Sequence, residues 1–339
     1  MKRILRPLIG LLLLFGIFSA YILFSPLSGS NEKKYFFVKT GSNFKDVQNE
    51  IVNQEILSST FYFDIICKLI NYPGKINPGR FEITQSTTLF GLIRKLKSGQ
   101  QKEVRLVINK LRTKEDLASK IGRQFEADSI EAIHFMYNND SLKKYKIDTN
   151  TMMCLVIPNS YLFWWNGSFD KIIYRLKSQH DLFWEGKRTE KAKKLGLSTN
   201  EVYTLASIVE EETNATADKG KVASVYLNRL KKGMKLEADP TVKFAMRNFE
   251  LKRILHGHLT YPSPYNTYLN KGLPPGPICT PSISTIDAVL NAPTTDFLFF
   301  VAKPDLNGLS NFSADYNTHL KYAKLYQDAL DKLFGKTSD

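Results

Sequence analysis

The sequence predicts an α+β protein made of an N-terminal transmembrane helix, a small α+β module and a larger α+β domain. Three observations carry this reading. Lys2, Arg3 and Arg6 precede an uncharged apolar run from Pro7 to Phe24. A pattern of extended segment, polar break and helical repeat then recurs three times. From Ser198 onward, helix caps and amphipathic repeats give way to a loop rich in Pro and Gly. With 339 residues the chain is long enough to bury a real core without staples. Cys67, Cys154 and Cys279 lie far apart in apolar or turn surroundings and read as small buried hydrophobes. His256 and His258 form the only close histidine pair, and no third ligand stands near them in sequence, so neither a metal nor a cofactor is expected.

Each element has a local reason. At 1.5 Å per residue the run from Pro7 to Phe24 reaches roughly 27 Å, close to the ~30 Å hydrocarbon core. Ser19 and Ala20 would suit a cleaved signal peptide, but the run continues past them to Phe24, which favours a retained anchor. The basic flank places residues 1–6 in the cytoplasm and the chain from about Ser28 outside the inner membrane. The net charge of +14 would suggest nucleic acid in a cytosolic protein. This topology argues against it, and the basic runs read as solvated faces, or as surfaces for an anionic bilayer or wall polymer.

The three copies of the pattern are "YFFVKTGSNFKDVQNEI", "RFEITQSTTLFGLIRKL" and "RLVINKLRTKEDLASKI". In each, β-branched and aromatic residues precede a Ser or Thr near a helix start, followed by apolar residues at three- and four-residue spacing. Between the first two, "STFYFDIICKLI" reads as a helix, and Pro73-Gly74 and Pro78-Gly79 read as turns. Residues 32–100 form the small module, which is reminiscent of LysM-like wall-binding modules, and residues 101–339 the larger domain. Tyr161, Phe163, Trp164 and Trp165 read either as packed core or as an aromatic platform for sugar rings.

Ser198-x-x-Glu201 is a capping box that starts a helix, and "ASIVEEET" ends it. At about 100° per residue, Val202, Leu205, Ala206, Ile208 and Val209 define one face; Glu212 lies about 50° from its centre, Glu210 about 110° and Glu211 about 150°. Only Glu212 shares the apolar face. A carboxyl held there loses hydration and stays protonated nearer neutral pH, as a general acid must. Glu210 and Glu211 read as solvated charges. A second amphipathic helix follows, with Val222, Val225, Tyr226 and Leu230 inward and Gly233 at its end. The stretch "YNTYLNKGLPPGP" can be neither helix nor central strand, because its prolines fix φ and remove donors.

The blocks "LASIVEEET", "KVASVYLNRLKKGMKLEADPTV", "YNTYLNKGLPPGPICTP", "LFFVAKPD" and "NFSADYNTHL" resemble, in order, the signature blocks of the endolytic murein transglycosylases (MltG/YceG-like proteins). The resemblance covers essentially the whole chain. It implies that Glu212 is the catalytic acid. It also implies groove positions at Thr213, Asn228, Arg229, Asp239, Pro240, Thr241, Tyr265, Asn266, Thr267, Tyr268, Pro274, Pro275 and Gly276. The chain departs from the family pattern at Glu211, where members often carry a basic residue. The implied reaction is lytic cleavage between N-acetylmuramic acid and N-acetylglucosamine in nascent peptidoglycan, leaving 1,6-anhydro ends. The implied partners are glycan strands, the inner membrane through one span, and peptidoglycan synthases such as penicillin-binding proteins. Two rivals remain: a wall-binding or assembly scaffold, and a hydrolase that pairs Glu212 with Asp239.

Overall fold

The computed structural model describes residues 2–27 and 33–334, with residues 2–8 and 334 given by their backbone alone. The chain divides into two compact units: residues 1–106 with 122–128 and 162–168, and residues 107–121 with 129–161 and 169–339. Two later segments, residues 122–128 and 162–168, thus group with the first unit and not with their neighbours in sequence.

In the first unit, α1 (Lys2–Phe24) leads into β1 (Lys34–Val38), α2 (Phe44–Asn53), α3 (Phe61–Leu69), β2 (Gly79–Ile83) and α4 (Leu89–Ser98). Among the described residues no helix is long and apolar enough to cross a membrane. The expected span, residues 7–25, lies partly outside the described side chains, which begin at Ile9. From there α1 leaves Leu11, Leu12, Leu13, Leu14, Phe15, Ile17, Phe18 and Tyr21 exposed. In its last turn Ile22 and Leu23 pack on the unit's core, while Phe24, with its ring 5.8 Å from that of Phe90, stays exposed.

β1 and β2 pair antiparallel, Tyr35 opposite Glu82 and Phe37 opposite Arg80. Strand alternation sends Phe36, Val38, Phe81 and Ile83 inward, against Val47, Ile51, Phe63, Leu92 and Leu96 of the helices. Asn43 caps α2 in a reciprocal capping box with Asp46, and Thr88 caps α4 through the Gly91 N–H. Local sequence thus sets the helix starts, as expected.

The third copy gives β3 (Val104–Ile108) and α5 (Lys114–Gln124), so all three strand-plus-helix copies form. The chain continues as α6 (Ser129–Met136), α7 (Asn139–Lys143), β4 (Asn159–Phe163), which pairs with β3, then α8 (Phe169–Trp184) and α9 (Lys187–Leu195). Gly196 closes α9 in the left-handed conformation at φ 74°. The aromatic cluster splits between the two readings: Tyr161 and Phe163 are buried, Trp165 is half-buried against Phe37, and Trp164 is 49 % exposed.

The second unit is organised by α10 (Thr199–Glu212), α11 (Thr216–Lys231), α12 (Asp239–Ala245) and α13 (Ile283–Leu290). The hairpin β5 (Phe299–Ala302) and β6 (Ser310–Ser313), followed by α14 (Tyr316–Phe334), completes it. α10 is the spine. All of its residues from Val202 to Val209 are buried, including Tyr203, Thr204 and Ser207, so it has no solvated face over that length. Tyr203 donates to the Val156 carbonyl at 2.6 Å, and Ser207 Oγ accepts from the Ile278 N–H at 3.0 Å. The three cysteines are buried and free.

Candidate active site

The last turn of α10 carries three consecutive carboxylates, and each meets a different neighbour. Glu210 pairs with Lys219 of α11 at 2.8 Å and accepts from Ser282 at 3.0 Å and from the Thr285 hydroxyl. Its side chain is 15 % exposed and that of Lys219 is 9 % exposed. Burial works to raise the Glu210 pKa, but the bonds from Lys219, Thr285 and Ser282 outweigh it and hold the carboxyl below its usual value. Glu211 pairs with Lys110 at 2.6 Å and Arg112 at 3.3 Å. The expectation that Glu210 and Glu211 are solvated charges is therefore corrected. Both are largely withdrawn from water, because α10 is enclosed on every side and cations come to meet them.

Glu212 has no cation at ion-pair distance among the described residues. Its Oε1 accepts from the Tyr226 hydroxyl at 2.6 Å. Burial pushes its carboxyl up to about 7, against the Tyr226 bond, which favours the ionised form. The charge of Asp239 adds to the rise, while Lys243 and Arg229 oppose it. The residue stands at one wall of a cleft of about 280 Å³ that also involves Tyr226, Arg229, Glu237, Asp239 and Tyr268. Tyr268 donates to Asp239 at 2.7 Å. Phe299, Phe300 and His319 close the rim, with the His319 ring stacked on Phe299 at 5.3 Å and Phe300 edge-on to Tyr226 at 6.0 Å.

The structure brings Glu212, Arg229, Asp239 and Tyr268 together in that cleft. It gives the other expected groove residues internal work. Both amide hydrogens of Asn228 are donated to the Thr295 and Phe297 carbonyls, at 2.9 and 3.0 Å, which fixes the approach to β5. Arg229, although at the wall, also bonds the Leu298 and Leu236 carbonyls and Glu237. Thr241 and Thr267 are buried and share a hydroxyl bond at 2.9 Å. Asn266 is fully buried, donating to the Leu259 and Tyr261 carbonyls and accepting from the Tyr268 N–H. Together they shape the loop that presents Tyr268. Thr213 Oγ1 accepts from the Ala215 N–H at 3.0 Å, turning the chain from α10 into α11. Pro240 opens α12 and is buried, and Tyr265 packs on Phe244 at 4.8 Å.

In the loop, Pro274 is buried and Pro275 exposed. Gly276 is there because a Cβ would sit 2.1 Å from the Asn150 carbonyl oxygen. Residues not expected at the site are Tyr226, Glu237, Phe299, Phe300 and His319. In the sequence Tyr226 reads only as an inward helix position, and Phe299, Phe300 and His319 only as parts of the late signature blocks. Among the described residues no three His, Cys, Asp or Glu side chains are grouped to hold a metal ion.

A carboxyl poised near neutrality, held by a tyrosine and facing an open polar cleft, is the working part of a general acid–base site. The YceG-like family matches residues 36–325. The chain belongs to the YceG-like family. It is 40 % identical over 159 residues to the endolytic murein transglycosylase of Bacillus subtilis (strain 168), which covers 47 % of this chain and 43 % of that protein. The endolytic murein transglycosylase of Streptococcus pneumoniae (strain ATCC BAA-255 / R6) is 26 % identical over 310 residues, 80 % of this chain and 55 % of its own. The chain spans about half the length of the curated relatives it matches. Among solved structures, a yceG-like protein of Listeria monocytogenes aligns with a TM-score of 0.57 and 26 % identity over 86 % of this chain and 99 % of its own.

Proposed function

We propose that the protein is a membrane-anchored endolytic transglycosylase that cuts the bond between N-acetylmuramic acid and N-acetylglucosamine within nascent peptidoglycan strands. The observation that carries this reading is the Glu212 carboxyl, raised to about 7 and unpaired with any cation among the described residues. In its neutral form Glu212 donates its proton to the glycosidic oxygen, the C1–O bond breaks, and positive charge develops on the muramic acid ring. The resulting Glu212 carboxylate takes the proton of the same sugar's C6 hydroxyl, whose oxygen closes on C1. Glu212 ends protonated, water is not consumed, and the strand ends in 1,6-anhydromuramic acid.

The Tyr226 hydroxyl stabilises the ionised half of this cycle. Asp239, held by Tyr268, places negative charge near the developing cation. Anchoring by residues 7–25, with the catalytic part outside the inner membrane, is supported by the basic flank and the exposed apolar side chains of α1. It would set the enzyme beside the synthases that polymerise strands, which we take as its protein partners. Digestion of the C-terminal part by protease added to spheroplasts is the expected result, and protection would refute this topology.

Asp239 in the same cleft favours a second reading, a two-carboxylate hydrolase. Mass spectrometry of products formed in heavy-oxygen water separates the two. Anhydro ends free of solvent oxygen support the lytic route; reducing ends carrying heavy oxygen establish the hydrolase; intact strands point to a binding or assembly role.

A further inference from the structure

A small cavity of about 60 Å³ lies within the second unit, between α10, α12 and the segment that leads into α5. It stands one residue from the acid cleft on two helices: Glu211 lines it where Glu212 lines the cleft, and Pro240 lines it where Asp239 does. Lys243 is in its wall, one turn further along α12, and the charge of Lys243 is felt at Glu212. Pro240, Phe244, Phe249 and Ile278 make the rest of the wall apolar.

The polar side of this lining is unbalanced. Arg112 and Lys243 face one carboxylate, Glu211, and that carboxylate is already met by Lys110 at 2.6 Å. The Arg112 guanidinium lies 5.1 Å over the Phe249 ring, with one Nη 3.3 Å from Glu211. Its Nε and other Nη make no hydrogen bond among the described residues, and the half-buried Lys243 ammonium makes neither a hydrogen bond nor an ion pair there. Unpaired cations are ordinary on an open surface, but these two line one enclosed space beside the acid. The ring under Arg112 holds it in place, and the apolar wall lowers the local dielectric, which strengthens a charge pair formed against it.

We infer that this cavity is an anion subsite that seats one carboxylate of the strand being cut, between Arg112 and Lys243. Its volume of about 60 Å³ is twice the roughly 30 Å³ of a water molecule in the liquid, so it admits one small group and excludes a sugar ring. A guanidinium fork and an ammonium suit a carboxylate. A hydroxyl or an amide would fit the volume but leave Lys243 unpaired. This rests on the reading of peptidoglycan as substrate. Its muramic acid carries a lactyl carboxyl, free in bare strands and extended elsewhere into a peptide stem that bears carboxylates of its own. Seated here, such a group would hold the muramic acid against Glu212.

The test measures binding by the full chain carrying Glu212→Gln, which removes turnover. Probes are uncrosslinked strands with stems, strands stripped to the free lactyl carboxyl, and each of these after its carboxyls are converted to methyl amides. A carboxylate-bearing strand is expected to bind about tenfold tighter than its amidated form, the scale of a charge-assisted bond. A preference confined to stem-bearing strands assigns the stem carboxyl, and one confined to stripped strands assigns the lactyl carboxyl. Added Lys243→Gln should remove that tenfold preference while leaving affinity for the amidated strands unchanged, which also shows that the variant is folded. Lys243→Arg should restore the preference, and Arg112→Gln should reduce it by less than Lys243→Gln does. Equal affinity of the parent for both forms, or full preference in Lys243→Gln, would overturn the subsite alone. Failure to bind any strand would overturn the reading of the substrate and the subsite with it.

Discussion

The two sides of the final turn of α10 differ in one respect. Glu210 and Glu211 meet Lys219, Lys110 and Arg112, whereas one residue further on Glu212 meets a tyrosine hydroxyl and an open cleft. All three carboxylates are withdrawn from bulk water. Burial alone therefore does not keep a carboxyl protonated here; burial without a counter-charge does. In Glu210 the same desolvation is outweighed by an ammonium and two hydroxyls, and the carboxyl stays ionised. In Glu212 it wins, and the proton is held to about pH 7.

The strongest way to break this comparison is to remove the proton from the cleft side alone. Glu212→Gln should lower cleavage of uncrosslinked strands by ~10² to 10⁴, measured as anhydro ends released per unit time. Full activity of that variant would dissolve the distinction. In the parent, cleavage should fall as pH rises above about 7, where the acid is lost. Next in size is the paired side. Lys219→Met leaves Glu210 buried without its cation, and breaking such a pair costs about 3–5 kcal/mol, read as a shift in the denaturant midpoint. A midpoint within experimental error of the parent would mean that Glu210 does not depend on Lys219.

The third prediction sharpens the comparison through stability. Glu212 has a folded value of about 7 against the ordinary 4.5, so the folded state holds the proton more tightly than the unfolded one. The stability this supplies is fully present below about pH 4.5 and is lost as pH rises through 7. Glu212→Gln should therefore match the parent at pH 4 and exceed it by up to about 3 kcal/mol above pH 7, in thermal melts across that range. A constant difference would contradict an unpaired buried acid. The smallest effect is expected at Glu211→Gln, whose partners Lys110 and Arg112 are 38 % and 40 % exposed. Both cations keep their contact with water after the change and the amide fills the same space, so stability and cleavage should both stay near parental values.

Much of the architecture was legible because it is written in short-range signals. The three strand-plus-helix copies, the helix at residues 61–69 and the capping box at Ser198 and Glu201 all rest on contacts within a few residues. Glu212 reads in the sequence as a carboxyl on an apolar face, but α10 has no exposed stripe from Val202 to Val209, so sharing that face does not by itself single out a carboxyl. The polar residues of the 265–268 stretch show the opposite case. Asn266 and Thr267 look like groove residues in sequence, yet their bonds run into the protein and only Tyr268 reaches the cleft.

By itself the sequence determined where helices start and stop, which strand positions face inward, and that an acidic triplet closes a buried helix, since caps, alternation and helical periodicity act over one or two turns. Tertiary structure alone decided which member of the triplet keeps its proton. Lys110 and Arg112 come from about a hundred residues before Glu211, and Thr285 from 75 residues after Glu210. A carboxyl's pKa is set by the charges and hydroxyls within a few ångströms in space, and no local pattern encodes those.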